Sequence, residues 1–194
     1  MENTRQIILA SSSPRRKELL EKIGLSFKVD AGTFDEGTCS GLDSHTLAQK
    51  ISLGKALSVA GKYLNAIIIG ADTFVIVGNV MMGKPDDEDE ARAMLKAISG
   101  RSHNVITGFA IIDTASGKTV SRVVETKVYI RRLTVEEIDA YIRTGEPLGK
   151  AGAYAIQGLG ALFVERIEGD YYNVVGLPLC ALMSALKEFG IRLL

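Results

Sequence analysis

Near the amino terminus, Ser11-Ser12-Ser13-Pro14-Arg15-Arg16 gathers hydroxyls and guanidinium groups at what reads as the start of a helix. Ser13 suits an N-cap and Pro14 the first helical position. Arg15, Arg16 and Lys17 then put cations where the helix dipole is already positive, at a cost of roughly a few tenths of a kcal/mol each. Two explanations compete. Either the cations splay into water or pair with Glu18 and Glu21, or they join the free N–H groups and hydroxyls in gripping phosphate oxygens. We favour the phosphate grip, because a placement against local preference points to function.

Other residues could serve a phosphorylated ligand. Lys55 falls on an apolar helical stripe with Ala48, Ile51 and Val59, either as a snorkelling lysine or as a ligand group. Asp72 follows the apolar run Ile67-Ile68-Ile69, where ligands bind in open α/β sheets, although an Asp turn would look the same. Asp35-Glu36, in a loop, would supply a second carboxylate. With His45 and His103 as the only histidines, a His-rich metal site is excluded. Any catalytic cation is then oxygen-bound, Mg2+ or Mn2+ before zinc.

Gly78 to Pro85 matches a P-loop until its last residue, where Pro85 offers neither the hydroxyl nor the N–H that motif needs. Lys84 can still meet a phosphate as a point charge. The segment Lys150 to Gly160 is dense in small residues that let a ligand approach backbone, and Gln157 offers a donor and an acceptor; a functionless flexible loop is the competing reading. Asp86-Asp87-Glu88-Asp89-Glu90 resembles a metal cluster but reads better as carboxylates capping a helix.

These residues need a frame that alternates strands and helices. The pattern predicts strands at 6–10, 26–31 and 66–69, with helices at 14–23 and from 43 or 44 to about 61. A helix opened by the acidic run carries Ala91, Met94, Leu95 and Ile98 on its apolar side. Long strands at 103–112 and 119–132 flank the turn Asp113 to Gly117, and a Thr134/Glu137 capping box starts the next helix. Two strands around Glu168-Gly169-Asp170 and a closing helix from about 178 to 189 complete an α/β unit with some parallel pairing.

The 194 residues suit one domain, 1–194, of two lobes with a cleft. Lysine plus arginine equals aspartate plus glutamate at 23 each, which disfavours a nucleic-acid partner, as do the few aromatics. No segment approaches the roughly 18 apolar residues of a membrane helix, and no secretory signal opens the chain. Isolated Cys39 and Cys180 read as reduced thiols of a cytoplasmic protein. A homodimer is compatible with all of this.

Taken in order, Leu9-Ala10-Ser11-Ser12-Ser13-Pro14-Arg15-Arg16, Asp35-Glu36, Lys55-Ala56, Gly70-Ala71-Asp72-Thr73, Gly83-Lys84-Pro85, Ser99-Gly100 with His103, Thr107-Gly108, Lys150 to Gly160 and Val174 to Leu179 resemble the Maf family of nucleoside triphosphate pyrophosphatases. The resemblance implies an elongated two-lobed mixed α/β sheet with flanking helices, like the inosine triphosphate pyrophosphatases. It implies hydrolysis between the α- and β-phosphates with a divalent cation, to a monophosphate and pyrophosphate. Asp72 would accept the proton of the attacking water and share the metal with Glu36. Ser13, Arg16, Lys55 and Lys84 would hold the triphosphate and offset charge on the leaving group. Arg15, Thr73 and Gln157 fall where the family's branches differ, and this trio looks like the dTTP/UTP branch, modified pyrimidine nucleotides included. Gly149 departs from the Asp frequent in relatives before Lys-Ala-Gly, which bears on loop geometry. The family's link with inhibition of septum formation leaves a competing expectation, a nucleotide-binding regulator of division without turnover.

Overall fold

A computed structural model describes residues 5–35 and 41–194. Seven strands among these residues form one mixed sheet in the order β2-β1-β3-β5-β6-β7, with β4 paired to β3 off this path. The chain divides into two compact units, residues 1–72, 107–124 and 176–194 in one and 73–106 and 125–175 in the other. The α/β expectation, with helices flanking a mixed sheet, is met.

In the first unit, β1 (Gln6–Ala10) leads through three serines into α1 (Pro14–Lys22). Gly24, at a φ of 74°, lets the chain leave α1 toward β2 (Lys28–Val29), which is far shorter than the strand expected over 26–31. Asp43 caps α2 (Ser44–Ala60), its carboxylate accepting from the N–H groups of His45 and Thr46. β1 lies parallel to β2 and to β3 (Ala66–Val77), with Ala10 level with Gly70. Even-numbered residues of β1, β3 and β5 (Ser102–Asp113) form one layer, Ile8, Ala10, Ala66, Ile68, Ala110 and Ile112, packed with Ala56 and Val59 of α2. The unit closes with α6 (Leu179–Leu186) and a 3-10 turn at Lys187–Phe189, where Arg5 bonds the Phe189 carbonyl and pairs with Asp113 at 2.6 Å.

The second unit holds the rest of β3, which turns at Gly78 into β4 (Val80–Met82), so the P-loop look-alike is a hairpin. The acidic run is scaffold as expected: Asp87 caps α3 (Glu88–Ile98) by accepting from Glu90 N–H, and Glu90 accepts from Asp86 N–H. β6 (Thr119–Ile130) precedes α4 (Val135–Ile142), whose capping box forms in both directions. Ala91, Leu95, Ile98, Val128, Ile138, Tyr141 and Phe163 share the unit's core. After β7 (Val164–Glu168), antiparallel to β6, the second strand expected beyond Asp170 is instead α5 (Tyr171–Val175). The Asp170 carboxylate accepts from Tyr172 N–H at 2.7 Å and Asn173 N–H at 3.3 Å, which starts a helix despite the β-prone side chains. No helix among the described residues is long and apolar enough to cross a membrane.

Candidate active site

α2 lies on the sheet backbone against backbone. A Cβ on Gly70 would come within 2.3 Å of the Ser52 carbonyl oxygen and 2.8 Å of Ala56 N, and one on Gly108 within 2.2 Å of the Ala48 carbonyl oxygen. Ala48, Ser52 and Ala56, four residues apart, form the small-residue ridge that permits this approach. Asp72 continues the even series Ala66, Ile68, Gly70, so its carboxylate faces α2. There Lys55 Nζ donates to Asp72 Oδ1 at 2.5 Å, with side-chain exposures of 20% and 12%. Lys55 thus turns its ammonium toward a carboxylate. Asp72 lies within β3 and not past its end, which corrects its placement from the sequence. The strand that ends at this level is β1, because Ala10 pairs with Gly70 and the serine loop follows.

Within that loop, the Ser13 backbone N–H donates to Ser11 Oγ at 3.3 Å, and the Ser13 side chain makes no cap bond to α1. With no acidic residue in the first turn, the helix start retains its anion-attracting character. Arg16 is buried at 8% exposure and bonds the Gly176 carbonyl through Nε at 2.9 Å and Ser11 Oγ through a terminal nitrogen at 3.1 Å. It braces the loop as well as charging it, a role that sequence spacing did not reveal. Arg15 is half-buried, and that burial pulls its guanidinium below the ordinary arginine value, with Glu18 acting in the opposite direction.

Ser13, Arg15, Arg16, Lys55 and Asp72 thus belong to one unit. Thr73, Lys84 and Gln157 belong to the other; alternation turns Thr73 to the sheet face opposite Asp72, and Lys84 and Gln157 are exposed. Glu36 lies outside the described residues. Asp35 precedes it, beyond Phe34, whose ring occupies the space a Cβ on Gly54 would need. No group of three or more His, Cys, Asp or Glu among the described residues is arranged to hold a metal ion.

Sequence reasoning missed how residues 150–160 are held. Gly152 N–H donates to the Gly83 carbonyl at 3.0 Å, tying this segment to the residue before Lys84. His103 Nε2 lies 2.9 Å from the Tyr154 hydroxyl, while buried Nδ1 has no hydrogen-bond partner among the described residues. Burial pushes His103 down to about 4, so the ring is neutral at pH 7. Tyr141 and Glu146 fasten the other side of the segment. Glu146 was passed over because its partners are mostly backbone N–H groups, which leave no mark in side-chain spacing.

Fold and site together define a mixed α/β protein with a helix start, a lysine and an aspartate gathered where β1 ends. Residues 6–189 match the family model described as Maf-like protein, and the chain belongs to that family. It is 52% identical over 191 residues to a dTTP/UTP pyrophosphatase of Thermoanaerobacter sp. (strain X514), covering 97% of this chain and 100% of the relative. It is 48% identical over 190 residues to one of Methanosarcina barkeri (97% and 96% covered) and 48% over 191 residues to one of Dictyoglomus thermophilum (98% and 99%).

Proposed function

We propose that this chain is a nucleoside triphosphate pyrophosphatase that hydrolyses dTTP and UTP to the monophosphate and pyrophosphate, with residues 1–194 acting as one functional domain. The observation that carries the chemistry is the half-buried Lys55–Asp72 pair, level with the serine loop and the uncapped start of α1. The substrate reading rests on relatives 48–52% identical that bear the name dTTP/UTP pyrophosphatase.

In this reading, the helix start and Ser13, with the charge of Arg16, receive phosphate oxygens. Lys55 aims the Asp72 carboxylate, which takes a proton as water attacks the α-phosphorus. The bond from that phosphorus to the bridging oxygen breaks, and pyrophosphate departs with the electron pair; Lys84 is assigned the role of offsetting its charge. The donor set fits a hard cation, because magnesium is commonly held by one or two carboxylates plus substrate phosphates and needs no protein-only cage. Asp72, with Glu36, would hold Mg2+ or Mn2+, which when bound neutralises charge on the phosphate oxygens. Arg15, Thr73 and Gln157 would choose the base, Gln157 pairing with the carbonyl and N–H edge of thymine or uracil.

The test is pyrophosphate release from a nucleotide panel with magnesium or manganese. Release from dTTP and UTP ahead of the purine nucleotides, lost in Asp72→Asn, supports the reading. Absence of release from both, with Asp72→Asn indistinguishable from wild type, defeats it.

A further inference from the structure

Residues 155–160 wrap around a single carboxylate. Glu146 Oε1 accepts from Gly160 N–H at 3.0 Å and from the Tyr141 hydroxyl at 2.7 Å, and Oε2 accepts from Leu159 N–H at 3.0 Å. The Tyr141 oxygen in turn accepts from Ala155 N–H at 3.1 Å, so the ring closes on the far side of the turn. The fit leaves no spare volume. A Cβ on Gly158 would strike Glu146 Oε2, and one on Gly160 would come within 2.8 Å of the Ala155 carbonyl oxygen and 2.9 Å of the Tyr141 hydroxyl. Burial alone would raise Glu146, but the N–H of Gly160, the Tyr141 hydroxyl, the N–H of Leu159 and the charge of Lys150 hold it below the ordinary glutamate value. Gln157 is exposed at the crest of this turn, between Ala155 on one side and Leu159 and Gly160 on the other.

We infer that Glu146 is a positioning residue for nucleobase discrimination, acting through the backbone of residues 155–160 to hold Gln157 in one orientation. This inference rests on the proposed function and on Gln157 as the base-reading side chain. An amide discriminates bases only if its donor and acceptor are held within a narrow angle, because a side chain free to turn satisfies several base edges equally. The chemistry of Glu146 suits this task. Its two oxygens are occupied by backbone N–H groups and a phenol, so it serves as an anchor and takes no proton from water.

The experiment compares wild type, Glu146→Gln, Gln157→Ala and the double variant, measuring KM and kcat for UTP, dTTP, CTP and GTP. In Glu146→Gln one oxygen becomes an NH2 that cannot accept from Leu159 or Gly160. The expected result is a rise of about tenfold in KM for UTP and dTTP, little change in kcat, and a flattened ranking among the four nucleotides. The double variant should be no worse than Gln157→Ala alone, because both changes remove one function. Tyr141→Phe, which keeps the ring and drops the hydroxyl, should shift the ranking in the same direction and covers the case in which Glu146→Gln fails to fold. A uniform fall in kcat with unchanged ranking, or additive losses in the double variant, would overturn the inference while leaving the proposed function standing. Unchanged ranking in Gln157→Ala would overturn it together with the base-reading assignment, and absence of turnover in wild type would remove the proposed function itself.

Discussion

Replacing Gly70 with alanine adds one methyl group where the backbones of β3 and α2 touch. Its carbon would lie 2.3 Å from the Ser52 carbonyl oxygen, against an ordinary contact of at least 3.4 Å, so α2 must retreat by about 1 Å. The neighbouring atom is backbone and has no rotamer with which to move aside. Overpacking of this kind costs about 1–3 kcal/mol, which lowers Tm by about 2–12 °C in a chain of this size. The same displacement carries Lys55 away from Asp72, stretching a 2.5 Å contact beyond good hydrogen-bond range. A misplacement near 1 Å at a reacting group costs up to about a hundredfold, so we expect kcat/KM to fall between tenfold and a hundredfold, roughly. Gly108→Ala is the control. It would crowd the Ala48 carbonyl at 2.2 Å on the same helix, two turns from Lys55. Thermal melts and steady-state hydrolysis of UTP should show similar losses of stability in the two variants and a much larger loss of activity in Gly70→Ala. Wild-type activity in folded Gly70→Ala, or equal activity losses in both, would refute the claim that this contact sets the pair.

Two further expectations follow from the same geometry. Neutral His103 has a folded value of about 4 against an ordinary 6.5, so its contribution is fully present above pH 6.5 and is lost as pH falls toward 4. The loss amounts to at most about 3 kcal/mol; denaturant midpoints of wild type and His103→Gln should converge across that window, and a constant gap between them would contradict the assignment. Arg16→Ala removes both the brace to Gly176 and the charge, so it should slow all nucleotides alike and cost about 1–3 kcal/mol of stability, whereas Arg15→Ala should reorder the nucleotides. Parallel kcat/KM losses in both variants would show that the two arginines share one role.

Local devices were readable from the chain, because each is closed within a few residues. The Thr134/Glu137 capping box formed where composition placed it, the cap of α2 is Asp43 out of the pair Asp43 and Ser44, and the acidic run 86–90 opens α3 with Asp87 as its cap. Features decided by distant partners were not readable. Gly70-Ala71-Asp72 reads as a strand end because glycine and aspartate are poor strand formers, and β1 does stop level with Gly70, yet β5 beside it and β4, paired with Val75 to Val77, carry β3 on to Val77. Tyr171 to Val175 reads as a strand until the Asp170 carboxylate claims two N–H groups. At the site, Lys55 stayed undecided on its helical wheel because nothing local says that Asp72 lies beneath it. Glu146 went unseen for a related reason: its partners converge from Tyr141 and from residues 159–160, and the segment between them has no period to betray the turn.

The bond from Arg16 to Gly176 spans 160 residues of chain. During synthesis the guanidinium is made about 10–30 s before its carbonyl partner at ribosomal rates. Arg16 joins that carbonyl to Ser11 Oγ, so the settled form of the serine loop depends on a partner supplied by a distant part of the chain.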